Sequence, residues 1–376
     1  MKPIRGKFVL LFIPQPSKAG RRTPSLGLLA ISTFLEKEGY DIRLVHAYDR
    51  ESEEYTEIWD NLDKAICVGI SSMTGYQILD GLKFAEFIRR KNKKVPIVWG
   101  GIHSTIKPLQ TIQNPLVDIV VRGQGEETFH ELVKTLEKGD DLKNIRGIVY
   151  KNKGKIIENL IRPAKDINEF PDLPYHLLDD NIEKYIKPNF YVNRYLPIIT
   201  SEGCPFKCAF CYLAMSEFKK SWQAYPAKRV LDQIEYLVKK YNLTGVDIRD
   251  ANFFVDKKRA RDIFQGLIDR KLNHIALSGI NGRVDQLIRY DDEFWKLMER
   301  AGVREILVGA ESGDQSMLDL IGKGLRVEDI LACEKKATNY NINIINSFMT
   351  GFPPADNNLK LRKKVLKKEL NKTVEL

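Results

Sequence analysis

Cysteine and histidine are scarce in this sequence. Its 376 residues include five cysteines and five histidines, an inventory too small and too uneven for a disulfide framework. A secreted disulfide scaffold is therefore excluded. The apolar run FVLLFI near the N-terminus is too short to span a membrane, and Pro14 and Pro16 follow it without a small-residue cleavage site. We therefore expect a cytoplasmic protein with no transmembrane segment.

No block of charge of one sign dominates the chain. Lysine and arginine number 60, and aspartate and glutamate number 50, with both signs spread along the sequence. An excess of this kind favours solubility and weak attraction for anions, and no nucleic-acid partner is expected from it. At roughly 150 residues per domain, the length predicts two domains with separate cores.

The N-terminal part alternates apolar runs with helical patterns. Strands are predicted at KFVLLFI, DIRLVHA, AICVGIS, VPIVWGG and VDIVVRG. Strands this apolar, separated by helices, indicate an α/β fold with a doubly wound, Rossmann-like parallel sheet over residues 1–145. In such sheets a ligand binds beyond the carboxyl ends of the strands.

The loops at those strand ends supply candidate ligand-binding residues. Paired glycines allow a bulky ligand to approach the backbone closely, and serines offer hydroxyl groups, although each glycine alone also suits an ordinary tight turn. The first such loop is Pro14-Gln15-Pro16. The remaining candidates are Ser71, Ser72, Met73, Gly100, Gly101, His103, Arg122, Gly123, Gly125 and Glu126.

Residues 146–195 are predicted to form a connector. It begins with a β-hairpin that turns at residues 152–154 and continues as a segment rich in proline and aromatic residues. Residues 196–354 again alternate, with strands at IITS, GVDIR, HIALSG, REILVGA and INIINSFMTG. That pattern predicts a partial (β/α) barrel whose site lies at the carboxyl ends of the strands.

Three of the five cysteines lie in the stretch GCPFKCAFCY, as Cys204, Cys208 and Cys211. A structural zinc site needs four protein ligands, and a second pair is not nearby; a thioredoxin-like redox pair needs no third cysteine. Three thiolates on one loop suit a 4Fe-4S cluster whose fourth iron stays free. Cys67 and Cys333 lie in apolar segments and are expected to be buried hydrophobic residues.

The spacing Cys-x3-Cys-x-aromatic-Cys, with Phe210 at the aromatic position, resembles the signature of the radical S-adenosylmethionine enzymes. The resemblance implies that the three cysteines hold the cluster and that the free iron chelates S-adenosylmethionine. It also implies that further cofactor contacts come from Phe210 and from the strand-end residues Asp250, Asn252, Arg283, Glu311 and Ser312. Arg283 would pair with the cofactor carboxylate, and FMTGFP would lie beside the adenine. Charged residues at strand ends are also ordinary helix caps.

The N-terminal domain is similar to the cobalamin-binding domain of one branch of those enzymes. The similarity rests on PSLGLLAISTFLEKEGYDIRLVHA, WGGIHST and DIVVRGQGEETF, and it makes the ten strand-end candidates of this domain a predicted cobalamin site. The motif Asp-x-His-x-x-Gly is absent after the first strand, so cobalamin is expected to bind without a lower axial histidine. His46 is expected to be an ordinary surface or turn histidine.

The sequence departs from the family after GFP, where Pro354-Ala355-Asp356 replaces the expected Gly-Glu-Thr. Only five of the family's six β/α units are found, so the barrel is predicted to be truncated. Residues 355–376 are predicted to form a basic, solvated helix with apolar positions at Leu359, Val365, Leu366 and Leu370.

These features together predict a cobalamin-dependent radical S-adenosylmethionine enzyme that methylates an unactivated carbon. The alternatives are a radical oxidative cyclase or rearrangement enzyme, similar to the porphyrin ring cyclases, and a catalytically silent cofactor-binding protein. The expected partners are a small-molecule, lipid or tetrapyrrole-type substrate and a reductant such as ferredoxin or flavodoxin. The sequence identifies no catalytic side chain.

Overall fold

The computed structural model describes residues 3–14, 22–47, 52–188, 190–214, 222–351 and 359–376. The chain divides into two compact units, Met1–Tyr185 and Ile186–Leu376, which we call unit 1 and unit 2. Within the described residues, no helix has both the length and the apolar character that a membrane span requires.

Unit 1 is built on one seven-stranded sheet with the strand order β2-β1-β3-β4-β5-β6-β7. The first five strands are parallel, which confirms the five predicted strands, and β6 and β7 form an antiparallel hairpin at one edge. The strands are β1 (Phe8–Ile13), β2 (Asp41–His46), β3 (Ala65–Ser71), β4 (Ile97–Gly100), β5 (Ile119–Val121), β6 (Ile148–Asn152) and β7 (Lys155–Glu158).

Helices cover both faces of this sheet, and for that reason its central strands are apolar throughout. All six residues of β1 are buried, and the ring of Phe12 stacks on that of Phe84 with 3.8 Å between centroids. The helices of unit 1 are α1 (Leu26–Lys37), α2 (Thr56–Asp60), α3 (Tyr76–Lys91), α4 (Ile102–Ile106), α5 (Pro108–Gln113), α6 (Glu126–Lys138) and α7 (Ile182–Tyr185).

His46, at the end of β2, is not a surface histidine, and that prediction is wrong. Its side chain is 1 % exposed and meets Tyr185 edge to face, with 6.1 Å between ring centroids. Burial lowers the pKa of His46 to about 3. The ring therefore belongs to the packed interior: although β2 is an edge strand of the sheet, the segment that carries Tyr185 covers its last residue.

Unit 2 contains two three-stranded parallel sheets, β12-β11-β8 and β13-β14-β15, linked by a parallel bridge between Leu277 and Val303. The strand order follows the chain order, as in a (β/α) barrel. The strands are β8 (Tyr195–Ile198), β9 (Ser201–Glu202), β10 (Gln223–Ala224), β11 (Gly245–Ile248), β12 (Ala276–Ser278), β13 (Ile280–Gly282), β14 (Glu305–Glu311) and β15 (Asn343–Phe348).

Amphipathic helices surround these strands. Close packing is visible between the first two long helices, where Leu231 lies against Gly266, a position at which any side chain would collide with it. The helices are α8 (Ala227–Tyr241), α9 (Lys257–Asp269), α10 (Val284–Leu287), α11 (Asp292–Arg300), α12 (Gln315–Leu320), α13 (Val327–Thr338) and α14 (Leu359–Glu375).

Helix α14 is not fully solvated, and that prediction is wrong. Leu366 and Leu370 are exposed as a solvated helix would have them, but Glu369 is only 1 % exposed. The physical reason is a close backbone approach: a Cβ at Gly313 would lie 2.4 Å from the carbonyl oxygen of Lys372. One polar face of α14 therefore packs on the loop that follows β14.

Candidate active site

The three clustered cysteines lie on the loop that follows β9, at the carboxyl end of the first strands of unit 2. Cys204 and Cys211 are partly exposed and Cys208 is buried. The backbone N–H of Cys211 donates to the carbonyl of Cys208 at 3.0 Å, and the N–H of Ala209 donates to the carbonyl of Ile321 at 3.1 Å. The loop is thus tied to itself and to the segment that follows α12.

The electrostatic surroundings connect the three thiols. Burial raises the pKa of the Cys204 thiol, the neighbouring Cys211 and Cys208 raise it further, and Arg283 lowers it. In contrast, Cys67 and Cys333 are fully buried, and burial raises the pKa of each to about 12. Their predicted role as buried hydrophobic residues is confirmed.

This donor set fits a 4Fe-4S cluster better than a single metal ion. In the part of the chain that the structure describes, no three histidine, cysteine, aspartate or glutamate side chains are arranged to hold one ion. A zinc site requires such convergence. The cysteines of a cubane each bind a different iron, so their sulfurs do not need to meet at one point. Three thiols on one partly exposed loop satisfy that requirement.

Arg283 lies directly against the cysteine loop. Its Nη1 donates to the Cys208 sulfur at 3.4 Å, and its Nη2 donates to the carbonyl of Lys323 at 2.8 Å. Its Nε pairs with Asp285 at 2.9 Å, and its guanidinium stacks on Phe206 at 3.8 Å from the ring centroid. The structure therefore places Arg283 beside the cysteine loop as predicted. Hydrogen bonds occupy its three guanidinium nitrogens, and an aromatic ring covers one face.

Lys323 is a site residue that the sequence reasoning missed. Its Nζ donates to Glu311 at 2.8 Å and lies 5.7 Å from the centroid of Phe210, so this buried ion pair connects the cysteine loop to the end of β14. Glu311 has a left-handed φ of +65°, which is uncommon for a residue with a side chain and is often found at functional sites. No motif marks Lys323; only the pairing of two buried charges reveals it.

Helix α14 adds charged groups to the loop after Glu311. The N–H of Gly313 donates to the Thr373 hydroxyl at 3.0 Å, and the carboxylate of Asp314 lies 3.5 Å from the ammonium groups of both Lys368 and Lys372. These contacts anchor the helix through the segment that the family resemblance assigns to S-adenosylmethionine.

Glu369 is the second residue that the sequence reasoning missed. Within the described residues, neither of its carboxylate oxygens makes a hydrogen bond of ordinary geometry. Burial raises the pKa of Glu369, the charge of Asp314 raises it further, and the nearby Gly351 backbone and Ser312 hydroxyl lower it. A glutamate in a lysine-rich helix gives no sequence signal of this burial.

Asp250 and Asn252 are buried and engaged with protein groups. The carboxylate of Asp250 accepts from the backbone and hydroxyl of Thr200 and from the hydroxyl of Ser201. Asn252 caps the turn after it and donates to Gln286 at 2.8 Å. In this arrangement both side chains support the strand ends from inside the unit.

The last predicted strand-end segment of unit 2 is described only in part. The N–H of Met349 donates to the carbonyl of Glu311 at 2.9 Å, which places the end of β15 beside the site. Residues 352–356 of the predicted adenine segment and its continuation lie outside the described residues, as do Gln15 and Pro16 of the first loop of unit 1.

In unit 1, the loops after β3 and β4 interlock at the carboxyl edge of the sheet. The N–H of Ser72 donates to the carbonyl of Gly100, and the N–H of His103 donates to the carbonyl of Ser72, each at 3.1 Å. Gly101 has a φ of +88°, and a Cβ there would lie 2.8 Å from the Ser71 hydroxyl and from the backbone of Ser72. Only glycine allows this approach.

Two buried hydroxyl groups stand out at this edge. In the described parts of the chain, those of Ser72 and Ser104 have no hydrogen-bond partner. Such groups are costly unless a ligand or an ordered water satisfies them. His103 lies within 3.0 Å of the Thr74 hydroxyl, burial lowers its pKa, and Met73 is 53 % exposed. Ser104 is a candidate that the sequence reasoning missed, although WGGIHST contains it.

The loop after β5 holds the remaining candidates of unit 1. Arg122 is buried and donates to Glu158 of the edge hairpin, so its guanidinium is engaged with protein. Gly123 and Gly125 form the turn into α6. Glu126 is buried in the first turn of that helix, and burial raises its pKa.

The fold and the two candidate sites together define a class: a protein with a three-cysteine loop on a barrel-like unit and a candidate ligand-binding edge on a second, Rossmann-like unit. The family comparisons agree with this division. Residues 17–133 match the B12 binding domain, and residues 198–359 match the radical SAM superfamily.

Known relatives align with most of this chain. The chain is 31 % identical over 356 residues to an uncharacterized methyltransferase of Pyrococcus horikoshii, covering 92 % of this chain and 74 % of the relative. It is 26 % identical to an anaerobic magnesium-protoporphyrin IX monomethyl ester cyclase of Synechocystis sp., covering 92 % and 69 %. Among solved structures, the radical S-adenosylmethionine methyltransferase TsrM of Kitasatospora setae matches with a TM-score of 0.73 at 18 % identity, covering 96 % and 70 %.

The chain belongs to the B12-binding branch of the radical S-adenosylmethionine superfamily. The predicted family, its α/β fold with two cofactor domains and its enzymatic nature are confirmed. The two families also confirm the predicted cofactors, a 4Fe-4S cluster, S-adenosylmethionine and cobalamin. The individual site residues remain predictions.

Proposed function

We propose that this chain methylates an unactivated carbon of a small molecule in a radical reaction that depends on cobalamin. The observation that carries the proposal is the cysteine loop, whose three thiols lie at the strand ends of unit 2. At the strand ends of unit 1, two buried hydroxyls have no hydrogen-bond partner among the described residues. The 31 % identical relative is named a methyltransferase, which supports methyl transfer as the outcome.

The cysteine loop of unit 2 would hold the cluster through Cys204, Cys208 and Cys211. When bound, the cluster supplies the electron that cleaves S-adenosylmethionine, and cobalamin supplies a methyl carrier. Glu311 has an acceptor suited to the amino group or ribose of the cofactor. Lys323, the buried cation between Glu311 and the cysteine loop, suits the cofactor carboxylate if the ion pair opens.

In unit 1, the hydroxyl groups of Ser72 and Ser104 would bind polar groups of cobalamin. Their burial excludes competing water, so a ligand amide or phosphate gains a hydrogen bond that no solvent molecule replaces. We expect a reductant of the ferredoxin or flavodoxin type and a cytoplasmic location.

A second candidate function is a radical oxidative cyclisation. The observation that favours it is the similarity to the magnesium-protoporphyrin IX monomethyl ester cyclase over 92 % of this chain. The two functions differ in the fate of the methyl group of S-adenosylmethionine, and that difference can be measured without the natural substrate.

The test uses the protein reconstituted anaerobically with iron, sulfide and hydroxocobalamin. A chemical reductant such as dithionite then supplies the electrons in the presence of S-adenosylmethionine labelled in its methyl group. We expect cluster absorption, 5'-deoxyadenosine, and methyl label recovered with cobalamin. The variant with Cys204, Cys208 and Cys211 changed to alanine should lose the cluster and deoxyadenosine but keep cobalamin. The matched control changes Cys67 and Cys333 to alanine. It should keep the cluster, the formation of deoxyadenosine and the bound cobalamin.

The outcomes separate the candidates. Deoxyadenosine without methyl label on cobalamin would contradict the methyltransferase and favour the cyclase. Protein that holds cluster and cobalamin but never cleaves S-adenosylmethionine would contradict both, and would leave a silent cofactor-binding protein.

A further inference from the structure

Arg283 donates a hydrogen bond to the sulfur of Cys208, the buried cysteine of the three-cysteine loop. Arg283 and Cys208 are each 8 % exposed, and the Nη1 nitrogen of Arg283 lies 3.4 Å from the Sγ atom of Cys208. Three other groups, Asp285, the carbonyl of Lys323 and the ring of Phe206, fix the guanidinium in that position. The side chain therefore has little freedom to turn toward another ligand.

A hydrogen bond to a ligand sulfur changes the energy of an iron–sulfur cluster. Cluster potentials depend on net charge, on hydrogen bonds to the sulfurs and on solvent exposure. Reduction adds one negative charge to the cluster, and a nearby cation stabilises the reduced form more than the oxidised form. Because the contact is buried, water screens this interaction weakly.

We infer that Arg283 acts through Cys208 to raise the reduction potential of the cluster, and that it does not bind the carboxylate of S-adenosylmethionine. This assignment replaces the role that the family resemblance gave to Arg283. It makes Arg283 a positioning residue for a cluster ligand. The inference rests on the cluster that the family implies and is independent of whether methyl transfer follows.

The experiment measures the cluster potential of reconstituted full-length protein by a redox titration followed by electron paramagnetic resonance, without S-adenosylmethionine or cobalamin. Arg283→Gln removes the positive charge and the guanidinium N–H donors, whereas Arg283→Lys keeps the positive charge. Arg249→Gln is the matched control, since Arg249 is half exposed and pairs with Asp247. S-adenosylmethionine affinity is measured on the same samples by equilibrium dialysis.

We expect Arg283→Gln to lower the reduced-to-oxidised ratio at a fixed potential about tenfold, a shift of about 59 mV for a one-electron couple. Arg283→Lys should fall between this variant and the wild type, and Arg249→Gln should equal the wild type. The affinity for S-adenosylmethionine should change less than threefold in every variant.

An unchanged potential in Arg283→Gln together with a tenfold loss of S-adenosylmethionine affinity would overturn the inference and restore the carboxylate-binding role. If Arg283→Gln fails to load a cluster, Arg283→Lys decides: a tenfold loss of S-adenosylmethionine affinity at wild-type potential overturns the inference, and a lowered potential at unchanged affinity supports it. Failure of the methyl-transfer test would not affect this readout, because the potential is measured before any S-adenosylmethionine is added.

Discussion

Replacing Glu369 with glutamine should stabilise the protein at neutral and alkaline pH. The carboxylate is 1 % exposed, and its oxygens make no hydrogen bond of ordinary geometry to the described residues. A buried polar group without a partner costs roughly 1–3 kcal/mol, and a charged one costs more. Glutamine has nearly the same shape and no charge, so we expect a gain of about 1–2 kcal/mol at pH 8.

The gain should depend on pH in one direction. Burial raises the pKa of Glu369 above its ordinary value of 4.5, so the folded chain holds this proton more tightly than the unfolded chain. The stability contributed by the protonated form is fully present below pH 4.5 and is lost as pH rises through the folded pKa. The difference between Glu369→Gln and the wild type should therefore be larger at pH 8 than at pH 5.

Thermal unfolding followed by circular dichroism provides the assay. In a unit of this size, each kcal/mol shifts Tm by roughly 2–4 °C, and only the transition of unit 2 should move. Glu375→Gln, at an exposed position of the same helix, is the control and should leave Tm unchanged. The reasoning is refuted if Glu369→Gln is no more stable than the wild type at pH 8, or if the difference does not widen with pH.

Two further predictions concern the strand ends of unit 2. Asp250→Asn places an amide against the donors of Thr200 and should cost at least about 2 kcal/mol in denaturant unfolding; an unchanged midpoint would contradict the hydrogen bonds seen here. Gly279→Ala should cost roughly 1–3 kcal/mol more than Gly322→Ala. Both glycines have a φ near +60°, but a Cβ at Gly279 would lie 1.6 Å from the Asp247 carboxylate while Gly322 faces open space; equal losses would show that backbone strain alone matters.

Local sequence patterns were sufficient for the parallel strands of unit 1 and for the grouping of three cysteines on one loop of unit 2. The five parallel strands of unit 1 are apolar over their whole length because both faces are covered, and this pattern is visible in the sequence. The cysteine spacing is equally local, since one short loop carries all three thiols. Both features can be predicted without knowing which distant segments of the chain are in contact.

The rest of the site depends on contacts between segments far apart in sequence. Lys323 and Glu311 form their ion pair across a helix and a turn, and Glu369 is buried only because α14 approaches the backbone of Gly313. Ser104 is distinguished from other serines only by its lack of a partner in the described structure. Such properties follow from tertiary packing, which residue type and spacing do not specify.

The edge hairpin of unit 1 also affects how this chain avoids self-association. Strand β5 is short, buried and apolar, and without β6 beside it the sheet would offer an open hydrogen-bonding edge to other chains. The hairpin replaces that edge with β7, which is short and largely exposed and has Lys155 and Glu158 at its ends. Short, charged edge strands discourage further strand addition. A chain cut before residue 148 would lose this protection, and we expect it to aggregate through β5.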